Sequence, residues 1–255
     1  MQGSADRQRG QLATPRRNKF FHGKMMDVYQ FELETAYEIG LRRLSNRLVT
    51  GFGVVCGLDV VQGDKPLSIM IGPGLAIDGW GREIIVPGAS ASVPIPPALV
   101  EEVCQEEESV VTVVIDYHEC ESEPVPVLAG TCETAPACTP GVIGEKYRIS
   151  FVAGAHEPVR VRCRFPDVLD GSRLDYRALA RWVTDEIPRL PQHPGVPLAN
   201  IRLDCDGDCK IEDVAMSDID IEVRRVVLSN RFVLDLLAAI VADDQHHDHD
   251  WRQEG

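Results

Sequence analysis

The residues in this chain best placed by type and spacing to do chemistry are two pairs of cysteines. Cys132-x5-Cys138 lies in a proline-rich stretch, with Cys120 near it in sequence, and Cys205-x3-Cys209 lies in an acidic turn. Four thiolates carried on two loops could close a tetrahedral zinc site whose role would be structural, stapling long loops to a core. Neither spacing is the C-x2-C of zinc ribbons, so loop disulfides or free thiols are the alternatives. A reactive cysteine would need a neighbouring base, and no cysteine has a histidine in an evident pairing. The expected metal site is therefore Cys132, Cys138, Cys205 and Cys209, a structural zinc, with no other cofactor. Cys56 and Cys163 sit inside β-like runs and read as small core residues.

Other acidic and histidine groups carry less. Asp204, Asp206 and Asp208 alternate like a calcium loop, but the sixth and twelfth positions are Cys209 and Ala215, where an EF-hand needs Gly and Glu. These carboxylates read as solvated turn residues. The terminal cluster His246, His247 and His249 lacks the rigid support that a catalytic site requires. His118 and Glu119 follow a β-run, yet neighbours on a strand point to opposite faces. They would be the acid–base groups of a metal-dependent hydrolase that also used the Asp204–Asp208 turn, which is one alternative function. A carbohydrate- or receptor-binding module is another, and only Trp80, Trp182 and Trp251 could build its aromatic platform. The chain has no P-loop, dinucleotide fingerprint, G-x-S-x-G or H-E-x-x-H.

The elements that would position these groups are legible in the spacing of apolar and turn residues. A helix is predicted from Val28 to about Leu48, with Asp27 as N-cap and Gln30 three residues on, the capping-box spacing. Tyr37, Leu41, Leu44 and Leu48 form one apolar stripe, which either packs on the following domain or meets copies of itself over about two heptads. From Asn46 to Pro87, glycine-rich corners separate the β-runs Val54–Val61, Leu67–Ile71, Leu75–Ile77 and Glu83–Val86, a meander or small barrel. A short helix Ala98–Glu107 precedes Ser109–Tyr117, an unbroken apolar run that reads as a central strand. Glu121–Gly144 reads as a long loop. Tyr147–Ala153 and Val159–Arg164 alternate like a hairpin, Leu174–Ile187 reads as a helix, Leu198–Leu203 as a strand, Val223–Leu228 as a strand or helix lead-in, and Asn230–Ala242 as a last helix.

Composition narrows the partners. The chain has 255 residues, 40 acidic against 26 basic, for a formal charge of −14. That balance excludes a general nucleic-acid binder, since phosphate backbones reward clustered Lys and Arg. The basic exception is the first 19 residues, with Arg7, Arg9, Arg16, Arg17 and Lys19, which read as a flexible arm. No apolar run is long enough to cross a membrane and no secretory h-region opens the chain, so synthesis in the cytoplasm without membrane insertion is expected.

Two segments carry a family resemblance. LRRLSNRLVTGFGVVCGLDV and IMIGPGLAIDGWGREIIVP resemble stretches of phage baseplate and tail-fibre proteins and of phage-tail-like contractile injection systems, in which a G-x-G-V-V-x-G-L strand precedes V-x-P-G-x-A-I-D-x-x-G-x-E-I. Val54–Leu58 and Gly72–Asp78 carry the match, within residues 18–87. The resemblance implies a non-enzymatic component of a contractile particle, at the baseplate or its fibres, with a cap as the lesser alternative, that self-associates or docks on baseplate, sheath, tube or fibre proteins. It also implies residence in an assembled particle that can be released. The expected architecture is α+β and β-rich: an arm (1–19), a docking helix segment (20–49), a β-rich domain (50–117), an α+β part with cysteine-bearing loops (118–242) and an acidic, histidine-rich tail (243–255). The expected interface residues are Phe20, Phe21, Tyr37, Leu41, Leu44 and Leu48.

Overall fold

The computed structural model describes residues 14–106, 108–127, 138–159, 169–170, 173–185, 190–205, 215–230, 232–236 and 238. Its first element is α1, Val28–Ser45. The predicted capping box is formed: Asp27 Oδ1 accepts from the Tyr29 N–H at 3.0 Å, and the Asp27 N–H donates to Gln30 Oε1 at 2.9 Å. Arg42 and Arg43 in the last turn complement the helix dipole. The helix loosens into a single π-turn, Asn46–Thr50, which ends at Gly51 where φ turns positive.

The glycine-punctuated run folds as six short strands: β1 (Gly53–Gly57), β2 (Val60–Gln62), β3 (Ser68–Ile71), β4 (Gly74–Ile77), β5 (Glu83–Val86) and β6 (Val93–Pro94). They form two antiparallel three-stranded sheets, ordered β1-β4-β5 and β2-β3-β6. The run Val54–Val61, predicted as one strand, is therefore two strands in different sheets. Gly57 and Leu58 both take left-handed φ values, 65° and 59°, and swing the chain from one sheet to the other. A Cβ at Gly57 would lie 2.1 Å from the Pro73 carbonyl oxygen, so only glycine fits this pivot.

Helix α2 (Pro97–Val103) opens on a proline at its first position, where no N–H is needed, and ends earlier than predicted, at Cys104. The long strands follow: β7 (Val110–Pro126), β8 (Cys138–Ala153), β11 (Val196–Asp204) and β12 (Ala215–Asp220), in the order β12-β11-β7-β8, all antiparallel. Between β8 and β11 come the small hairpin β9 (Leu169–Asp170) and β10 (Arg173–Leu174), then α3 (Tyr176–Asp185). The predicted central strand is central, with Val111, Val113 and Ile115 fully buried.

Tyr147–Val152, expected in a hairpin with Val159–Arg164, pairs with Thr112–Tyr117 of β7, and residues 160–164 lie outside the described residues. Much of the predicted loop Glu121–Gly144 is a two-stranded ribbon, in register as far as Pro126 opposite Cys138. β11 covers β7 only over Val110–Ile115. Beyond that the ribbon's outer edges have no partner strand among the described residues, and prolines are tolerated on such edges.

One buried cluster joins the halves: Leu58, Ile69, Ile71, Ile84 and Val86 pack with Val100, Val103, Val113, Ile115, Leu198 and Ile201. β7 runs through 117/118, where the sequence reading divides the chain, and the core draws on both sides. Val223–Leu228 returns to the first sheet: Val54 N–H donates to the Arg225 carbonyl and Val227 N–H to the Val54 carbonyl. The fold is α+β and β-rich. Among the described residues no helix is long and apolar enough to cross a membrane.

Candidate functional site

Of the predicted zinc set, only Cys138 and Cys205 are among the described residues, and Cys205 is bonded elsewhere. Cys205 forms a disulfide with Cys104, 101 residues away in sequence and 5.6 Å between Cα atoms, which joins the end of α2 to the end of β11. Its sulfur is thus taken from the predicted zinc set. Cys138 is a free, exposed thiol on β8, and Cys132 and Cys209 lie outside the described residues. Cys56 is also free and exposed, not a core residue. The reason is a bulge in β1 between Val54 and Cys56 that breaks the strand's two-residue alternation. No cluster of three or more His, Cys, Asp or Glu residues among the described ones could hold a metal.

The acid–base candidates are each engaged elsewhere. His118 Nδ1 lies 3.1 Å from Arg148 Nη2 across the ribbon, while Glu119 accepts from the Tyr117 hydroxyl at 2.9 Å. Burial first, then the hydrogen bond and the charge of Glu119, push the Tyr117 phenol well above its usual pKa. A cavity of about 1200 Å³ beside β7 and β8 contains Ser150, Asp116, His156 and His193. Ser150 Oγ donates to Asp116 Oδ2 at 2.6 Å, and no histidine among the described residues hydrogen-bonds to that hydroxyl. His156 is held by its backbone instead: Asn200 Nδ2 donates to the His156 carbonyl at 2.9 Å. Of the aromatic candidates, Trp80 is half-buried and donates Nε1–H to the Pro191 carbonyl at 3.0 Å. Trp251 and the side chain of Trp182 lie outside the described residues.

The residues expected to form an interface are spread along the N-terminal segment, α1 and the π-turn. Phe20 and Phe21 are 63% and 62% exposed on the segment leading into α1. Met25, Val28, Tyr29 and Phe31 extend this apolar surface onto the first turns of the helix. No residue of α1 is fully buried. Tyr37, Leu41 and Leu44 are half-buried, and Leu48, on the π-turn, is exposed. Residues 14–19, assigned to the arm by composition, run along α1, where Asn18 is buried and its N–H donates to Glu34 Oε2 at 3.1 Å. Residues 1–13 lie outside the described residues.

The far end of α1 is tied to the β4–β5 corner. Asn46 Nδ2 donates to the Gly81 carbonyl at 3.0 Å and to Glu83 Oε1 at 2.8 Å, and Arg42 pairs with Glu83 at 3.0 Å. Gly81 has φ of 82°, and a Cβ there would stand 2.1 Å from the Arg43 carbonyl oxygen, so glycine lets the helix approach. Asp78, fully buried, braces the corner by accepting from the Trp80 and Arg82 N–H groups, both at 2.9 Å, and from Arg82 Nε at 2.6 Å. The Arg82 guanidinium lies against the Trp80 and Tyr117 rings, 4.7 and 4.6 Å from their centroids. Sequence reasoning missed this joint. The only signal was the D-x-x-G-x-E spacing of the resembling motif, whose Asp78, Gly81 and Glu83 all prove to be structural.

Between α1, residues 14–16 and this corner lies a groove of about 580 Å³. Its walls are mainly apolar, from Leu33, Tyr37, Leu41, Leu44 and Trp80, with Arg16, Arg43, Arg47 and Arg82 among them and Glu119 as the one carboxylate.

No protein-family model matches the chain, and no curated protein matches it. Solved structures similar to it include a crystal structure of TssK, at 10% identity and a TM-score of 0.39, aligned over 80% of this chain and 41% of that one. A TssK-TssF-TssG baseplate subcomplex of the type VI secretion system aligns at 13% identity and a TM-score of 0.38, over 80% of this chain and 60% of that one. A type VI secretion baseplate complex aligns at 11% identity and a TM-score of 0.30, over 80% and 58%. The chain thus spans about two to three fifths of the chains it matches.

Proposed function

We propose that this chain is a non-enzymatic structural component of a phage-tail-like contractile particle, placed at the baseplate or its fibres and assembled through its N-terminal segment and α1. The observation that carries the reading is the surface Phe20, Phe21, Met25, Val28, Tyr29 and Phe31: six large apolar side chains, each more than half exposed, on a capped helix and its lead-in. Large apolar side chains left exposed this densely, six within residues 20–31, are what an interaction site leaves uncovered. Supporting it, the motif that resembles contractile-particle proteins supplies the joint that fixes α1 on the β domain, through Asp78, Gly81, Glu83 and Asn46.

The test is incorporation. Epitope-tagged chain should sediment with sheath and tube proteins in sheared, pelleted particles, read by mass spectrometry and negative-stain microscopy. The triple variant Phe20→Ser, Phe21→Ser, Phe31→Ser should stay in the low-mass fraction while its melting temperature holds. Wild-type chain found wholly in the low-mass fraction would defeat the reading.

A further inference from the structure

The groove beside α1 poses an electrostatic problem that the described residues do not solve. Arg82 is neutralised by Asp78 and Arg42 by Glu83. Among the described residues Arg43 pairs only with Glu119, at 3.8 Å, whose side chain is half-exposed at the rim. Arg47 and Arg16 have no ion pair among the described residues. Arg43 Nε and Arg47 Nη1 are each buried without an acceptor. Guanidinium charge gathered beside apolar walls, with donors left unmatched, is complementary to a carboxylate. The surplus is also local and of the opposite sign to the chain's net charge of −14.

We propose that this groove binds an acidic, apolar segment of a partner protein. One carboxylate would sit among Arg16, Arg43 and Arg47, and flanking apolar side chains would lie on Tyr37, Leu44 and Trp80. The length fits a peptide. Lining positions run from Leu33 to Arg47 on the helix side, a span of roughly 21 Å at helical rise. That accommodates about six residues of extended chain. Gly40 keeps the middle open: a Cβ built there meets nothing within 4 Å, and its φ is ordinary. The proposal rests on the assembly reading only in taking the occupant to be protein.

The test pans a random nonapeptide display library on the full-length protein, then measures selected peptides by fluorescence anisotropy. Enriched peptides should carry Asp or Glu beside Leu, Phe or Trp, and should bind Arg43→Gln/Arg47→Gln at least tenfold more weakly. Gly40→Leu fills the groove without removing a charge or a native contact, and it too should weaken binding tenfold or more at an undiminished melting temperature. This second variant keeps the proposal falsifiable if the arginine variant is poorly folded. Enriched peptides without acidic residues, equal binding by both variants, or no enrichment would overturn the proposal. So would concentration-dependent dimerisation that Gly40→Leu abolishes, which would make a second copy of this chain the occupant. Failure to find the chain in particles would leave the peptide result standing, so the two readings fail separately.

Discussion

Asn46 Nδ2 donates to Glu83 Oε1 at 2.8 Å across 37 residues of sequence, and this contact ties the end of the N-terminal helix to β5. It comes at the residue where α1 loosens into its π-turn. The same amide reaches the Gly81 carbonyl, so one side chain joins the end of the helix both to the β4–β5 turn and to the first residue of β5.

Replacing Asn46 by Ala removes both contacts and leaves the Gly81 carbonyl and Glu83 without that partner, which should cost about 1–2 kcal/mol. The larger effect should be local. Hydrogen exchange over residues 28–45 should accelerate at least tenfold, while Val111–Ile115 stays as protected as in the wild type. Unchanged helix protection would show that the stripe Tyr37, Leu41 and Leu44 alone holds α1 in place.

The Cys104–Cys205 bond closes a loop of about a hundred residues, and cross-linking of that length is worth about 2–5 kcal/mol, chiefly by restricting the unfolded chain. A tryptic map of thiol-blocked protein without reductant should show the two peptides joined. Reduction, or Cys104→Ser, should lower the urea midpoint accordingly. Cys56 and Cys138, both exposed, should label with maleimide in the native state. A map linking Cys205 to Cys209 or to Cys132 would restore the loop-staple chemistry expected from spacing.

Tyr117 predicts a pH dependence. Its phenol is held above the ordinary value of 10.0, by burial first and then by Glu119. The folded state therefore keeps a proton that the unfolded state loses more readily. This contribution is fully present below pH 10 and is lost as pH rises towards the folded-state value. The stability of the wild type should therefore fall more steeply above pH 10 than that of Tyr117→Phe, in urea titrations at several pH values. Parallel curves for the two proteins would rule out the linkage.

Some of this architecture could be read directly from the chain. Asp27 and Gln30 mark the start of α1 because a capping box is a contact over three residues. Val111, Val113 and Ile115 announce a central strand because an unbroken β-branched run has no face fit for water. The corners at Gly51 and Gly81 follow from φ values that other residues reach only at a cost, whereas the one at Gly57 lay inside a run that reads as a single strand. The α+β, β-rich class was legible for the same reason, since period, caps and turns are local properties of sequence.

What the sequence could not specify was partnership. Two-residue alternation says that Tyr147–Ala153 is a strand but not that it pairs with Thr112–Tyr117, and no local rule brings β11 beside β7 from some eighty residues away. Cysteine spacing grouped Cys205 with its neighbour in the chain, whereas the sheet delivers it to Cys104. The bulge that turns Cys56 outward, and the joint of Asn46 with Glu83, likewise exist only once distant segments meet. By itself the sequence determined which segments are helix, strand or corner, because those preferences are set within a few residues. Only the tertiary structure decided which of them touch, because burial rewards any apolar partner that fits and so leaves the choice to the packing of the whole chain.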